Sequence, residues 1–385
     1  MSSTTYRSPW VDDEVLALRD MVTKFIETEA LPHRERWIDQ KYVDRDFWLK
    51  AGAQGLLCAS IPEEYGGGGG TLAHELAILQ VPLALTEMGF GLGNAVHSGI
   101  VANYILAYGT DEQKRRWLPK MASGEMIGAI AMTEPAGGSD LKQLRTSALR
   151  DGDHFMLNGA KTFITNGGHA DLVIVVCRTD PTAGTRGISL VVVETAEADG
   201  YRVGRLLDKV GLRSQDTAEI FFDDVRVPAR NLLGEEGQGF YYAMTQLAHE
   251  RLVISDGAVA VAEAALEATV GYTKERTAFG APLFEMQNTR FELAQCAILV
   301  RTARVFVDHC VELHMRGELD AATASMAKAN STDVQCEVVD RCVQLFGGYG
   351  YMLEYPIARM YADSRAQKIY AGANEVMKEL IARSL

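Results

Sequence analysis

Six cysteines are present, at 58, 177, 296, 310, 336 and 342, but no Cys-x-x-Cys pair and no Cys/His spacing that would close a zinc site. No metal site is therefore expected, and the thiols read as buried groups in a reducing compartment. Apolar runs of about 18 residues are also missing, which excludes a transmembrane helix. The opening MSSTTYRSPWVDDEV has neither the basic-then-apolar layout of a secretory signal nor the Arg- and Ser-rich, acid-poor make-up of a transit peptide. A cytoplasmic protein is expected. Positive charge is in the minority, with 38 Lys and Arg against 51 Asp and Glu and a net charge of -13. Such a surface repels phosphate backbones and anionic lipid, so neither nucleic acid nor membrane insertion is expected.

What is present fits a globular chain of two or three domains: 385 residues, 47% hydrophobic and 23% charged. The patterning predicts an α+β multi-domain fold. In residues 1–125, Val15, Leu18, Met21, Val22, Phe25 and Ile26 recur at helical spacing on one face. The run Gly66 to Gly70 interrupts this helical domain and reads as a flexible loop, because no Lys-Ser/Thr comes after it to complete a phosphate cradle. Residues 126–235 change period, with β-rich segments at 127–133, 171–177, 187–193 and 219–227. Asp151-Gly152, Asn158-Gly159 and Asn166-Gly167 punctuate them as hairpin turns, so an antiparallel β domain is expected. In residues 236–385 only Pro282 and Pro356 interrupt a helical pattern that predicts a four-helix bundle. Ala258 to Thr269 is apolar enough to suggest burial on several sides, as when the bundle packs against another subunit.

Four segments carry possible chemistry. The first is Ala131-Met132-Thr133-Glu134-Pro135-Ala136-Gly137-Gly138-Ser139-Asp140, where glycines let backbone N–H groups approach an anion or carbonyl and Thr133 and Ser139 add hydroxyls. In the second, Lys161-Thr162-Phe163-Ile164-Thr165-Asn166, an aromatic ring and a hydroxyl stand side by side. The third is Arg276-Thr277-Ala278-Phe279-Gly280 with Gln287, and the fourth runs Gln344-Leu345-Phe346-Gly347-Gly348-Tyr349-Gly350-Tyr351, with Glu354, Arg359 and Asp363 beyond it. An Arg fork suits phosphate, and glycine at 347 and 348 removes the Cβ atoms that would block close approach.

Together these segments resemble the acyl-CoA dehydrogenase family over nearly the whole chain; the first departs at Gln143 and the fourth matches throughout. The resemblance implies FAD as cofactor. It implies that Met132, Thr133, Ser139, Phe163, Ile164 and Thr165 line the flavin, with Phe163 where many relatives have Trp. It implies further that Arg276, Phe279, Gln287, Gln344, Gly347 and Gly348 reach the FAD from a neighbouring subunit, so that dimerisation completes the site, within an expected homotetramer.

Family chemistry removes an α-proton from an acyl thioester while hydride leaves the β-carbon for the flavin. Many members carry the base in Ile-Tyr-Glu-Gly-Thr; here the segment reads Ile369-Tyr370-Ala371-Gly372-Ala373-Asn374-Glu375, so the usual carboxylate is missing. The isovaleryl and long-chain branches place it before an Arg on an earlier helix, and Glu250-Arg251-Leu252-Val253 matches that arrangement. Glu250 is the expected base, with its pKa raised by burial. The plain alternative is a solvated Glu-Arg pair. The resemblance also implies a backbone N–H at Ala371 for the thioester carbonyl, acyl-CoA contacts from Ser139, Thr185, Arg186, Tyr241, Arg251 and Gly372, and flavin contacts from Ala373, which replaces the usual Thr, Asn374 and Glu375.

The implied enzyme is an FAD-dependent acyl-CoA dehydrogenase that forms a trans-2-enoyl thioester and passes electrons to an electron-transferring flavoprotein. A small residue at 371 frees space for a long or branched chain, and Asn374 to Arg383 looks like the long-chain branch. A dehydrogenase of carrier-protein-bound acyl groups, an acyl-CoA oxidase, and a non-catalytic flavin- or CoA-binding protein of the same fold stay open as alternatives.

Overall fold

The computed structural model describes residues 6–140 and 143–385. The first helix, α1 (Asp13–Phe25), starts where the Asp12 side chain accepts the Val15 N–H at 2.8 Å. It buries Val15, Val22 and Phe25 on the expected face. Next come helices α2 (Arg34–Gln40), α3 (Arg45–Ala53), α4 (Leu72–Ala84), α5 (Met88–Val96), α6 (Asn103–Tyr108) and α7 (Asp111–Ala122). α4 is apolar nearly all round because it is enclosed by neighbouring helices, including the long first helix of the C-terminal bundle. Between α5 and α6 the chain passes through a π-type segment, His97–Ala102. Such a segment adds a residue per turn and so rotates the side chains of α6 about the helix axis.

The glycine run is a corner tied down by its own backbone, not a flexible loop. The N–H groups of Gly66, Gly67, Gly68, Gly69 and Gly70 donate to the carbonyls of Glu63, Pro62, Cys58, Ile61 and Ala59. A Cβ on Gly67 would lie 2.2 Å from the Ile61 carbonyl oxygen. These glycines serve close self-packing, and no amide is left to cradle a phosphate.

The middle of the chain forms one sheet of β1 (Gly128–Ala131), β2 (Ser147–Asp151), β3 (His154–Thr165), β4 (Leu172–Arg178), β5 (Ile188–Glu194), β6 (Tyr201–Leu206), β7 (Thr217–Pro228) and β8 (Leu232–Leu233). Its order is β6-β7-β3-β2-β4-β5-β8, with β1 beside β4. The sheet is antiparallel with two exceptions. β1 runs parallel to β4, from Gly128 opposite Leu172 to Ala131 opposite Val175, and β2 meets β4 in parallel at Ser147 and Arg178. The chain leaves β1, builds the β2–β3 hairpin and only then returns, which gives β4 the direction of β1. Asp151-Gly152 turns that hairpin as predicted, with Gly152 at φ +61. Asn158-Gly159 instead lies inside β3 at a register shift, because the backbone there passes too close to Thr146 for any Cβ. Asn158 is held by paired hydrogen bonds of 2.9 Å with Asp224.

The last region is built on α8 (Gly239–Glu275), a helix of 37 residues, which at 1.5 Å per residue is about 55 Å long. A short hairpin, β9 (Thr277–Ala278) and β10 (Ala281–Pro282), leads to α9 (Gln287–Met315), α10 (Ala321–Phe346), α11 (Pro356–Ser364) and α12 (Asn374–Ala382). Helix α10 is the hub, packing on α8, α9, α11 and α12. The small apolar stretch after Ala258 is buried by α4, α9 and α10 of the same chain, so its composition needs no second subunit. Apolar residues left on the surface include Phe291, Ile298 and Val305, which form an exposed stripe on α9 at seven-residue spacing. The six cysteines are unpaired, five buried and Cys336 partly so. Among the described residues no helix is long and apolar enough to cross a membrane.

Candidate active site

Glu250 lies a third of the way along α8 and is only 5% exposed. Its Oε1 accepts a hydrogen bond of 3.0 Å from the Tyr104 hydroxyl, which reaches it from α6. Burial raises the Glu250 pKa, as expected, while the Tyr104 hydrogen bond and the nearby His249 and Arg251 pull it partly back. His249 donates through Nε2 to the Gly99 carbonyl at 2.9 Å, lies 3.4 Å from Glu75, and meets His314 at 3.2 Å through Nδ1. The pair Glu250-Arg251 is therefore not a solvated surface pair. Arg251 is 4% exposed, bonds Ser325 at 3.3 Å and leaves its Nε without a partner among the described residues.

Arg251 faces the C-terminal segment that carries Ala371. A Cβ built on Gly372 would lie 3.9 Å from Arg251 Nη2. Ala371 and Gly372 are both in the left-handed region, at φ +50 and +90, and the N–H of neither finds an acceptor among the described residues. From α10 the buried Lys328 donates to the Gly372 carbonyl at 2.8 Å and to Asn374 Oδ1 at 2.9 Å. Asn374 in turn donates to Thr332 at 3.0 Å and Asp333 at 3.1 Å. Its side chain is thus engaged inside the protein. Ala373 is half-buried as the residue before α12, and Glu375 is exposed.

On the sheet side, Lys161 donates to the Met132 carbonyl, to Glu134 and to the Val176 carbonyl at 3.0, 2.8 and 2.7 Å. Glu134 also accepts the N–H groups of Arg145 and Thr146. This buried pair ties Met132 and Thr133, both half-buried, to the start of the Phe163 segment, where the Thr162 N–H donates to the Thr133 carbonyl at 2.9 Å. Beyond Lys161 the ladder slips and Phe163, at φ +60, is thrown outward and left 67% exposed. Ile164 is buried in the sheet core and Thr165 is half-buried. Ser139 is exposed beyond the Glu134–Gly137 turn.

Thr185 and Arg186 occupy the turn Gly184–Gly187 between β4 and β5. That turn abuts the start of α8, because a Cβ on Gly237 would lie 2.4 Å from the Arg186 carbonyl oxygen. Tyr241 there points outward and is exposed, whereas Tyr242 turns inward and stacks on Tyr108 at 4.0 Å. Nine residues of helix, about 13 Å, separate Tyr241 from Glu250. The remaining predicted residues gather at the opposite end of α8. Arg276 lies over the Tyr349 ring at 5.7 Å, Phe279 is 99% exposed at φ +52, Gln287 and Gln344 are exposed, and nothing lies within 4 Å of a Cβ built on Gly347 or Gly348.

Comparison with known proteins bears on this arrangement. Family models described as the N-terminal, middle and C-terminal domains of acyl-CoA dehydrogenase match residues 12–125, 129–225 and 237–385. The chain belongs to the acyl-CoA dehydrogenase family. It is 48% identical over 369 residues to the long-chain specific mitochondrial acyl-CoA dehydrogenase of Sus scrofa, covering 95% of this chain and 85% of that one. A crystal structure of an acyl-CoA dehydrogenase from Geobacillus kaustophilus superposes with a TM-score of 0.95 at 47% identity, covering 98% of this chain and 99% of that one. A glutaryl-CoA dehydrogenase from Mycobacterium smegmatis, solved in complex with FADH2, gives 0.90 at 29% identity over 97% and 95%.

As a member of this family the protein is an FAD-dependent oxidoreductase. Its own residues fit that cofactor. Phe163 and Phe279 are large apolar rings held in the solvent by left-handed backbone, and the ledge at Gly347 and Gly348 is open beside an arginine suited to a pyrophosphate. Tyr104, Lys328, His249 and the Lys161–Glu134 pair were not singled out from the sequence. For Lys328 a signal existed: it falls in the buried phase of α10 with Ala324, Ser331 and Gln335, where an unpaired lysine is out of place. Tyr104 gave none, since a tyrosine among Ile and Leu reads as ordinary core.

Proposed function

We propose that Glu250 is the base that takes the α-proton of an acyl-CoA thioester while the N–H groups of Ala371 and Gly372 receive its carbonyl oxygen. The single observation that carries this reading is the juxtaposition of α8 with the 371–372 segment through Arg251. It brings the helix that carries the buried Glu250 against a segment with two unpaired amides, and that segment has alanine where a second carboxylate would stand. Bound FAD supplies the acceptor for the hydrogen and electron pair that leave the β-carbon. Glu250 is desolvated, which raises its basicity towards working pH. Lys328 and Arg251 place positive charge beside the segment that faces the carbonyl, where negative charge develops as the proton leaves. Tyr241, Thr185 and Arg186, about 13 Å up the helix, are placed to meet the CoA arm.

The substrate in this reading is a long or branched acyl-CoA, supported by the missing side chain at 371 and the likeness to a long-chain enzyme. Electrons pass to an electron-transferring flavoprotein. The working form is a homo-oligomer, a tetramer in which each FAD is shared across a dimer. Supporting this, Glu250 and Arg276 are 26 residues apart on one helix, about 39 Å, farther than one extended dinucleotide reaches. A second copy would bring its Arg276 end to the first copy's Phe163, and the exposed stripe on α9 is available for assembly. Division of the chain at 125/126 and 235/236 belongs to the same reading, supported by the end of α7 at Ala122 and the start of α8 at Gly239. So does a cytoplasmic location, which suits six unpaired thiols.

The test is anaerobic reduction of the holoenzyme by a panel of short, long and branched acyl-CoAs, tracked at the oxidised flavin band, beside Glu250→Gln. Bleaching by some member of the panel that disappears in the variant is the expected result, and the panel then names the substrate class. Bleaching that persists in Glu250→Gln would remove the carboxylate from this role.

A further inference from the structure

The two oxygens of Glu250 are not equivalent. Oε1 is tied to Tyr104 at 3.0 Å, and Oε2 makes no hydrogen bond among the described residues. Tyr104 has no exposed surface and enters from the second position of α6, directly after the π-type segment that sets its direction. Its ring meets Tyr108 edge-on at 6.1 Å, so it has little freedom to swing away. Burial beside Glu250 raises the phenol well above its ordinary range, and it remains a donor throughout the working pH.

Resting on the reading of Glu250 as base, we propose that Tyr104 is a positioning residue that pins Oε1 and so presents Oε2 to the α-carbon of the substrate, while holding the carboxylate ionised in a pocket that excludes water. In the step itself one C–H bond breaks and one O–H bond forms at Oε2. The electron pair of that C–H bond moves into the new double bond as hydride leaves the β-carbon for FAD. The phenol keeps its own proton, donating to the anion before the step and to the carboxylic acid after it. A hydrogen bond to a charged acceptor is stronger than one to its neutral form, so Tyr104 favours the state that is ready to react. The other groups around Glu250 act at longer range. They are Tyr108 on α6, His249 and Arg251 on α8, Glu75 on α4 and His314 on α9 behind His249, and Lys328 on α10 beyond Arg251. None of them donates a hydrogen bond to the carboxylate.

The decisive variant is Tyr104→Phe, which keeps the ring and removes the donor. Losing a hydrogen bond to the charged form raises the pKa of the base, so the acid limb of the pH profile for kcat/KM in flavin reduction moves to higher pH. The expected displacement is about one to two pH units, with about tenfold slower reduction at pH 7. Flavin content and binding of the 2-enoyl-CoA product stay unchanged. Replacing Tyr104 by 3-fluorotyrosine, a more acidic donor of nearly the same shape, moves the limb the opposite way and decides the matter if the Phe variant loses flavin. A limb unmoved in both proteins, with Glu250→Gln inactive, overturns the role of Tyr104 alone. Reduction that survives in Glu250→Gln overturns the base and the positioning residue together.

Discussion

The two ends of α8 differ in a way that composition does not reveal. Around Glu250 the polar groups are buried and mutually engaged: Tyr104, His249 and Ser325 find partners within the chain, and Arg251 lies against Gly372. Around Arg276 the groups are exposed and wait for something, with Phe279 in solvent and open space over Gly347 and Gly348. The glycines make the same distinction. Those at 66–70 are closed by self-contact, whereas those at 347 and 348 face nothing of their own chain. The closed end is completed by contacts within its own chain; the open end leaves its ring and its glycine ledge without cover from that chain.

Breaking the closed end should give the largest effect. A positioned general base is worth on the order of a hundredfold to ten-thousandfold in rate, so Glu250→Gln should slow flavin reduction by that much and leave flavin binding intact. Arg276→Ala should act at the open end and in the opposite sense. It removes charge-assisted hydrogen bonds to a pyrophosphate, so retention of FAD on ultrafiltration should weaken by about tenfold to a hundredfold, while reduction of the flavin that stays bound is nearly normal. The comparison sharpens when the two variants are co-expressed with different tags. If a site combines Glu250 of one chain with Arg276 of another, the mixed oligomer regains one intact site, and activity at limiting FAD rises above that of either variant alone. If both ends serve the same site within one chain, the mixture holds FAD no better than Arg276→Ala and shows only that variant's activity.

Much of this was legible in the residues. The change of period from helix to strand to helix carried the architecture, and Glu-Arg at 250–251 together with the small residue at 371 pointed to two segments that the fold brings together, the buried Arg251 lying against Gly372. What was not legible is set by contacts far apart in sequence. Asn158-Gly159 reads as a turn by every local rule, yet it continues a strand because Thr146 passes over it. Gly66 to Gly70 reads as slack, yet its amides are all taken by carbonyls upstream in the same corner. Tyr104 is 146 residues from Glu250, and no periodicity within α6 shows that its hydroxyl will meet a carboxylate rather than the core.

A smaller effect is expected at Lys328, which supports the closed end from α10. Lys328→Met keeps the stem and removes two hydrogen bonds, to the Gly372 carbonyl and to Asn374. The left-handed Ala371–Gly372 segment should then drift, lowering kcat about tenfold with little change in KM for a substrate whose CoA arm binds elsewhere. Lys328→Arg should restore part of the rate. An equal fall in both variants would mean that the shape of the lysine matters and not its donors.

The smallest effect concerns how the closed end fails in acid. His97 sits in the π-type segment before Tyr104, wholly buried, its Nδ1 accepting the Gly128 N–H and its Nε2 facing the Met121 carbonyl, both at 3.0 Å. Those partners require the neutral ring with its proton on Nε2, and burial pushes its pKa down to about 4. Unfolded chains bind a proton at this histidine below about 6.5, whereas the folded protein does not until about 4. Stability should therefore fall as pH drops across that window, by on the order of 1.4 kcal/mol per pH unit from this group. Asp363, raised to about 6, and Glu87, raised to about 7, contribute with the opposite sign, since burial lets the folded state keep their protons. The contribution of His97 is therefore isolated by His97→Gln, whose amide can serve both partners without titrating. Urea unfolding at pH 7 and pH 5 should show a smaller loss in the variant. Hydrogen exchange at pH 5 should show residues 97–104 losing protection before α9 does, because a proton taken up by His97 in the locally opened state favours opening at the base end and not at the Arg276 end. Simultaneous loss at both ends would mean that the closed end draws no separate support from His97.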